Sequence, residues 1–259
     1  MSEPTVSVIT PAYNAAQTLR ACVDSIRAQS LSDWEHIIVD DGSTDSTWDL
    51  LNKLAEEDSR LQIMRQANAG QGKARNVAIE KARGRYIALL DADDRSLPER
   101  LELQVAFLGA HPDVDVLGAA IINVSETGEN LGVSRLSPDH DTLVADIYCR
   151  CPFSTSTVMA RPAFFRVSGG FSETLRLRRV EDYDLWHRGY RQFHYHNLQV
   201  PLVYYRRNTA PSWRDAIYSA CVIMKAINRD RKPLTYGWYA LRPLVVTLLR
   251  QLGLRRSFS

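Results

Sequence analysis

The chain has 259 residues, enough for one large domain or two small ones around a well-buried core. Apolar residues make up 45% and charged residues 24%, which excludes a collagen-like, disulfide-framework or wholly disordered protein. The net charge of +2 gives no case for nucleic-acid binding, but it is unevenly spread: residues 225–259 hold eight cations against the single acid Asp230, leaving residues 1–224 net acidic.

Met1–Thr5 has no basic stretch, and the apolar run after it stops at Thr10-Pro11, too short for a signal peptide. Val6–Ile9 reads as a buried strand. Leu19, Cys22, Val23 and Ile26 then repeat at helical spacing. His36–Val39 is a second strand, followed by Asp40-Asp41-Gly42-Ser43 and a helix through Leu50, Leu51 and Leu54 that Thr44 or Asp45 can cap. Leu61–Met64 is a third strand, followed by a loop with Gly70 and Gly72 and a helix through Val77, Ala78 and Ala82. Tyr86–Leu90 is a fourth strand, running into Asp91-Ala92-Asp93-Asp94. A helix near Pro98 and a fifth strand at Val114–Leu117 complete this half.

Such alternation predicts an α/β fold, a Rossmann-like, mostly parallel sheet with helices on both faces. Ligands of these sheets sit outside the carboxyl ends of the strands, where Tyr13, Asp41, Gly72 and Asp93 all fall. Residues 1–118 are therefore expected to be a nucleotide-binding half. Residues 119–210 are less regular, with β-like runs at Ser156–Met159 and Val200–Tyr205 and a helical piece from Glu181 to Tyr190. They are expected to be a substrate-facing half of the same sheet. Residues 211–259 form a basic helical tail. Leu241, Leu244, Val245, Leu248, Leu249 and Leu252 make a 3.6-period stripe, with Pro243 in its first turn and Gly253 at its end. With Arg242, Arg250, Arg255 and Arg256, and with Tyr236, Trp238 and Tyr239 just upstream, residues 236–259 suit an anionic membrane surface, or a helix packed on its own domain or on a second subunit. No run of about 18 apolar residues suggests a transmembrane helix.

The four cysteines lack metal or redox spacing and read as free thiols; His194 and His196 share a strand face without a visible third ligand. Two carboxylates one residue apart, Asp91 and Asp93, can share Mg²⁺ or Mn²⁺ with phosphate oxygens, although turns are rich in Asp and Asp94 or Ser96 suits a capping role. Gly70-Gln71-Gly72-Lys73-Ala74 fails as a P-loop, because Ala67 stands where its first glycine belongs and Ala74 where Ser or Thr is required. Arg75 likewise replaces the third glycine of a dinucleotide fingerprint.

Five segments in order resemble family 2 glycosyltransferases of the GT-A fold: Val6–Asn14, Val39–Asp45, Asn68–Asn76, Leu89–Asp94 and Val180–Trp186. The resemblance spans about residues 4–210. It implies inverting transfer of a sugar from a nucleotide-diphosphate sugar, UDP preferred, to a hydroxyl of a glycan or lipid-linked acceptor in cell-surface polysaccharide synthesis. The free thiols suit a cytoplasmic location, and the basic tail suits a peripheral place on the inner face of the cell membrane. Pro11, Ala12 and Tyr13 would line the nucleoside, Asp41 would accept from the base, and Gly72, Arg75, Asp91 and Ala92 would complete the donor site. Asp93, with Asp91, would hold the metal. Asp182 would be the general base with Glu181 its rival, since neighbouring helical side chains diverge by about 100°. The acid pair could instead be an exposed helix start bridged to Arg178 and Arg179. Trp186 would floor the acceptor or pack in the core. Asn208 stands where many relatives have a His, which puts a third metal contact in doubt. A sugar-nucleotide nucleotidyltransferase and a non-catalytic nucleotide-binding relative are the alternatives.

Overall fold

The computed structural model describes residues 3–174, 180–207 and 213–251. Arg178, Arg179, Asn208, Leu252, Gly253, Arg255 and Arg256 lie outside the described residues.

Each expected strand of the first half forms: β1 Val6–Ala12, β2 Trp34–Asp40, β3 Leu61–Arg65 and β4 Tyr86–Leu89. They pair in parallel in the order β3-β2-β1-β4. The order reverses between β1 and β4, and the crevice beyond their carboxyl ends is where such sheets bind ligands. β1 continues past the Thr10-Pro11 end expected for it. Its pairing with β4 stops at Ile9, and Pro11, which has no N–H, sits beyond that point.

The sheet continues through the second half. β6 (Val116–Val124) is longer than expected and pairs in parallel with β9 (Tyr195–Arg206). Between β4 and β6 lies only the two-residue, antiparallel β8, Met159–Ala160. The run Ser156–Met159 is thus mostly not strand; Thr155–Thr157 is a 3₁₀ turn. β5 (Arg95–Ser96) edges β9, and β7 (Asn130–Ser134) pairs with β6. Pro201 fits within β9 because the register with β6 slips between Leu198 and Pro201.

Helices cover both faces, so alternate residues of the inner strands feed two cores and the strands read as near-continuous apolar runs. On one face Ile9, Ile37, Val39 and Leu89 meet α3 (Gln71–Lys81), α5 (His140–Asp146), α6 (Pro162–Ser168) and α7 (Glu181–Gly189). On the other, Val8, Ile38, Ala88 and Leu117 meet α1 (Leu19–Arg27), α2 (Thr47–Glu57) and α4 (Arg100–Ala110). Ser46, and not Thr44 or Asp45, is the N-cap of α2, and Asp45 accepts from Thr47 N, in the first turn, at 3.0 Å.

Two C-terminal helices, α8 (Trp213–Arg229) and α9 (Gly237–Gln251), are joined at their far ends by Trp213 Nε1 donating to Gln251 Oε1 at 2.7 Å. α9 starts well before the position expected for it, so Pro243 lies inside the helix and not in its first turn. The reason is tertiary: Tyr236 and Tyr239 pack against the Tyr148 ring, and Ala240 is buried. Asp230, just past α8, accepts from the hydroxyls of Tyr148 and Tyr190, and Arg229 donates to the His187 carbonyl. Against the pull of burial, these bonds and Arg229 hold the Asp230 carboxyl down to about 2. The helical pair is therefore fastened to α7.

Candidate active site

The loops after β1 and β2 are stitched together. Asn14, at a positive φ, accepts from Thr44 N at 2.8 Å, and its own N–H donates to Ser43 Oγ at 2.9 Å. Tyr13, by contrast, stands 51% exposed at the end of β1, with Pro11 and Ala12 buried behind it. Asp41 is buried and accepts from Ala69 N and Gly70 N, both at 2.8 Å, and from Gln66 Nε2 at 2.7 Å. A carboxylate offers about four acceptor positions, so Asp41 shapes the loop before α3 and retains one for a ligand donor. Gly70 has φ +96°, a conformation that side-chain-bearing residues rarely adopt.

Gly72 is buried. A Cβ there would lie 2.6 Å from the Ser172 carbonyl oxygen and 3.3 Å from Glu181 Cγ. Its missing side chain lets α3 pack closely on Ser172 and on the start of α7. Arg75 is only 2% exposed and lies between two acids, with Nη2 2.7 Å from Asp91 Oδ1 and Nη1 2.8 Å from Glu181 Oε1. Burial opposes its charge, but Asp91 and Glu181 outweigh burial and hold the guanidinium protonated. Arg75 is thus an internal cross-link and not a surface residue.

Asp91, Ala92 and Asp93 form the turn after β4, with both carboxylates half-buried and Ala92 buried. Asp94 N donates to the Asp91 carbonyl at 3.1 Å and closes the turn. Asp94 itself points inward and accepts from Arg206 N at 2.7 Å. Burial, then the charges of Asp91 and Asp93, push its carboxyl well above the usual range. Among the described residues no group of three His, Cys, Asp or Glu side chains could hold a metal ion. The turn therefore offers two hard carboxylates, which is what Mg²⁺ typically takes from a protein, the rest coming from phosphate and water. The residues present fit a divalent ion completed by a diphosphate. A cavity of about 220 Å³ opens beside Asp93, lined by Thr18, Arg95, Glu126, Tyr204 and Arg206 among others.

Across the crevice α7 begins with Glu181, Asp182 and Asp184 in its first turn, where the helix dipole favours negative charge. Glu181 is buried against Arg75, and burial lifts its carboxyl while Arg75 opposes. Asp182 is half-buried, and its Oδ2 accepts from Thr155 Oγ1 at 2.6 Å. The two acids thus divide as their helical divergence requires: Glu181 faces the interior, and Asp182 alone retains access to solvent. Trp186 is fully buried among Phe153, Phe164 and Phe171, with ring centroids 5.1, 5.7 and 6.4 Å away. It is a core residue and cannot floor an acceptor. His194 and His196 also leave the metal reading: His194 stacks on His140, and His196 on Phe107. Cys22, Cys149, Cys151 and Cys221 are free, with Cys22 buried.

The family described as "Glycosyl transferase family 2" matches residues 7–168, which include β1 from Ser7 onward, β2 to β4 and the Asp91 turn. The chain belongs to that family. EpsE of Bacillus subtilis (strain 168), itself only provisionally named a glycosyltransferase, is 34% identical over 251 residues, covering 94% of this chain and 89% of that protein. TuaG of the same organism, provisionally named a teichuronic acid biosynthesis glycosyltransferase, is 46% identical over 107 residues, 41% of this chain and 42% of its own. Among solved structures, S. aureus TarS 1–349 in complex with UDP has a TM-score of 0.70 at 25% identity, covering 96% of this chain and 72% of that one. The mannosyltransferase PcManGT from Pyrobaculum calidifontis, in complex with GDP-Man and Mn²⁺, has a TM-score of 0.63 at 19% identity and supports the GT-A fold alone. The family 2 glycosyltransferase assignment displaces the nucleotidyltransferase alternative.

Sequence reasoning missed Thr155, Ser156 and the buried Arg100. Ser156 Oγ accepts from Asp91 N at 3.1 Å. Arg100 Nη2 donates to the Leu89 carbonyl at 2.8 Å, at the end of the strand that carries Asp91. The only signal was the Ser/Thr density of 154–157, which carries no motif.

Proposed function

We propose that this family 2 glycosyltransferase transfers a sugar with inversion from a UDP-sugar to a hydroxyl of a glycan or lipid-linked acceptor in cell-surface polysaccharide synthesis. The carrying observation is the crevice itself: a half-buried Asp91/Asp93 turn facing a helix start where Asp182 retains solvent access and Glu181 does not. In this reading residues 1–118 are the donor half, residues 119–210 the acceptor half and residues 211–259 the tail.

Exposed Tyr13, with Pro11 and Ala12 behind it, borders the nucleoside, and Asp41 offers its remaining acceptor position to the base N–H. A uracil or thymine ring presents the same donor, and the UDP complex of TarS, a neighbour at 25% identity, favours uridine. Asp91 and Asp93 would hold Mn²⁺ or Mg²⁺, which would supply positive charge against the departing nucleoside diphosphate. Asp182 accepts the acceptor hydroxyl's proton as its oxygen bonds to the anomeric carbon, opposite the breaking bond to the diphosphate. Asp182 ends protonated and the sugar inverted. A well-placed base contributes about 10²–10⁴-fold.

A contact of residues 236–259 with an anionic membrane surface belongs to the same reading. No described helix is long and apolar enough to cross a membrane. Trp238, Leu241, Val245 and Leu248 nevertheless stand exposed along α9, and Trp213, Ile217 and Met224 along α8. A bilayer-borne acceptor would explain why a basic unit leaves such surface uncovered.

The deciding experiment is calorimetric binding of UDP, dTDP, GDP and CDP, with and without Mn²⁺, to the wild type and to Asp93→Asn. Mn²⁺-dependent binding of UDP that the variant loses is the expected result. Binding of none of the four by the wild type would sink the donor assignment and leave a non-catalytic relative.

A further inference from the structure

Two independent links join the Asp91 turn to the start of α7. The first is ionic and runs from Asp91 Oδ1 through Arg75 to Glu181 Oε1, with contacts of 2.7 and 2.8 Å. The second runs through the 3₁₀ turn: Asp91 N donates to Ser156 Oγ at 3.1 Å, and the neighbouring Thr155 Oγ1 donates to Asp182 Oδ2 at 2.6 Å. Because Glu181 and Asp182, and Thr155 and Ser156, are chain neighbours, the six residues close a ring. One side of it carries a carboxylate of the proposed metal pair and the other the proposed base.

We propose that Thr155 and Ser156 are positioning residues of the transfer reaction, holding the Asp182 carboxylate at a fixed distance and orientation from the Asp91 turn. This rests on the reading of Asp182 as the base. Asp182 Oδ1 accepts from Tyr183 N at 2.7 Å and Oδ2 from Thr155, so each oxygen has one partner and the carboxylate cannot rotate freely. A carboxylate so held keeps acceptor positions for an incoming hydroxyl.

The turn is a rigid mount. Thr155, Ser156 and Thr157 are all buried. Thr157 Oγ1 accepts from Ala119 N at 3.1 Å, and its carbonyl accepts from Gln104 Nε2 at 2.7 Å. Gln104 in turn accepts from Arg100 Nε at 3.1 Å, and Arg100 reaches the Leu89 carbonyl at the foot of the Asp91 turn. α4, which touches no proposed ligand, thereby braces both the Asp91 turn and the 3₁₀ turn. Small displacements of a reacting group cost rate steeply: about 1 Å is worth up to about 10²-fold.

Thr155→Val keeps the shape and removes the hydroxyl; Thr155→Ser keeps the hydroxyl and removes a methyl. The assay is UDP release from UDP-GlcNAc and from the other common UDP-sugars, alongside calorimetric UDP binding with Mn²⁺. Thr155→Val is expected to lower kcat by about 10- to 100-fold with donor KM and UDP affinity within about twofold of wild type, and Thr155→Ser to recover most of the loss. A wild-type kcat in Thr155→Val overturns the proposal. So does a joint loss of kcat and UDP affinity that Ser does not rescue, which marks a merely structural hydroxyl. Absence of UDP binding by the wild type is a different failure, that of the donor site beneath it.

Discussion

At the strand ends around Asp91, charge lies inside the protein and each charged group has at least one partner: Arg75 between two acids, Asp41 under three donors, Asp94 against Arg206 N. Along α8 and α9 the arrangement is reversed. Tryptophan, leucine and methionine stand in solvent, and the basic side chains of the unit outnumber its acids. The first region spends desolvation to fix geometry, because a buried ion is tolerated only where partners hold it. The second leaves apolar surface uncovered, which a soluble protein rarely does over contiguous patches unless something binds there. Chemistry is expected at the one and attachment at the other.

The largest effect should come from separating the two acids of α7. Asp182→Asn is expected to cut the transfer rate about 10²–10⁴-fold while UDP affinity, measured by calorimetry, stays near wild type. An equal rate loss with an intact Asp182 in Glu181→Gln, at unchanged stability, would reverse the assignment. Next comes the cross-link. Arg75→Leu strands Glu181 in the interior and is expected to cost about 3–5 kcal/mol in urea unfolding. A cost under about 1 kcal/mol would show that the pair does not bear on the site's rigidity.

Acid should then reveal a weakness in the core. Burial lowers His36, in β2, and His187, in α7, to about 3. Unfolded, each takes up a proton near 6.5, so the unfolded state binds more protons between about pH 3 and 6.5 and stability falls as pH drops through that window. Each histidine contributes a slope of up to about 1.4 kcal/mol per pH unit. Thermal midpoints recorded from pH 7 to pH 4 should fall, and a flat profile over that range would contradict the burial of both. The smallest effect on stability belongs to the exposed stripe. Leu241→Asp should change unfolding free energy by no more than about 0.5 kcal/mol yet weaken sedimentation with phosphatidylglycerol vesicles. Unchanged sedimentation would remove the membrane reading. Point substitution is cleaner than deleting residues 236–259, because Tyr236, Tyr239 and Arg242 pack against Tyr148 and Cys149.

The four parallel strands and their helices were legible because each strand is buried on both faces and each helix on one, and those periods are written in the order of residues. Asp41, Asp91, Asp93 and Asp182 were legible as candidates because acids at strand ends and helix starts have local reasons to be there. The surroundings of Arg75, Gly72 and Trp186 were not legible, for one shared reason. Their partners, Glu181, Ser172 and Phe153, lie between 33 and 106 residues away in the chain, and no local pattern encodes such a meeting. β6 ran longer than expected because β9, far along the sequence, supplies its ladder.

The sequence by itself therefore determined the alternation of strands and helices, the family, and the acidic positions at the strand ends, since these depend on side-chain period and local backbone chemistry. Only the tertiary structure decided which acid is buried and which is accessible, that Arg75 points inward, that Thr155 reaches Asp182, and that α9 begins at Gly237. Those outcomes depend on which surfaces exclude water from one another. That is a property of the assembled layers, and no single segment carries it.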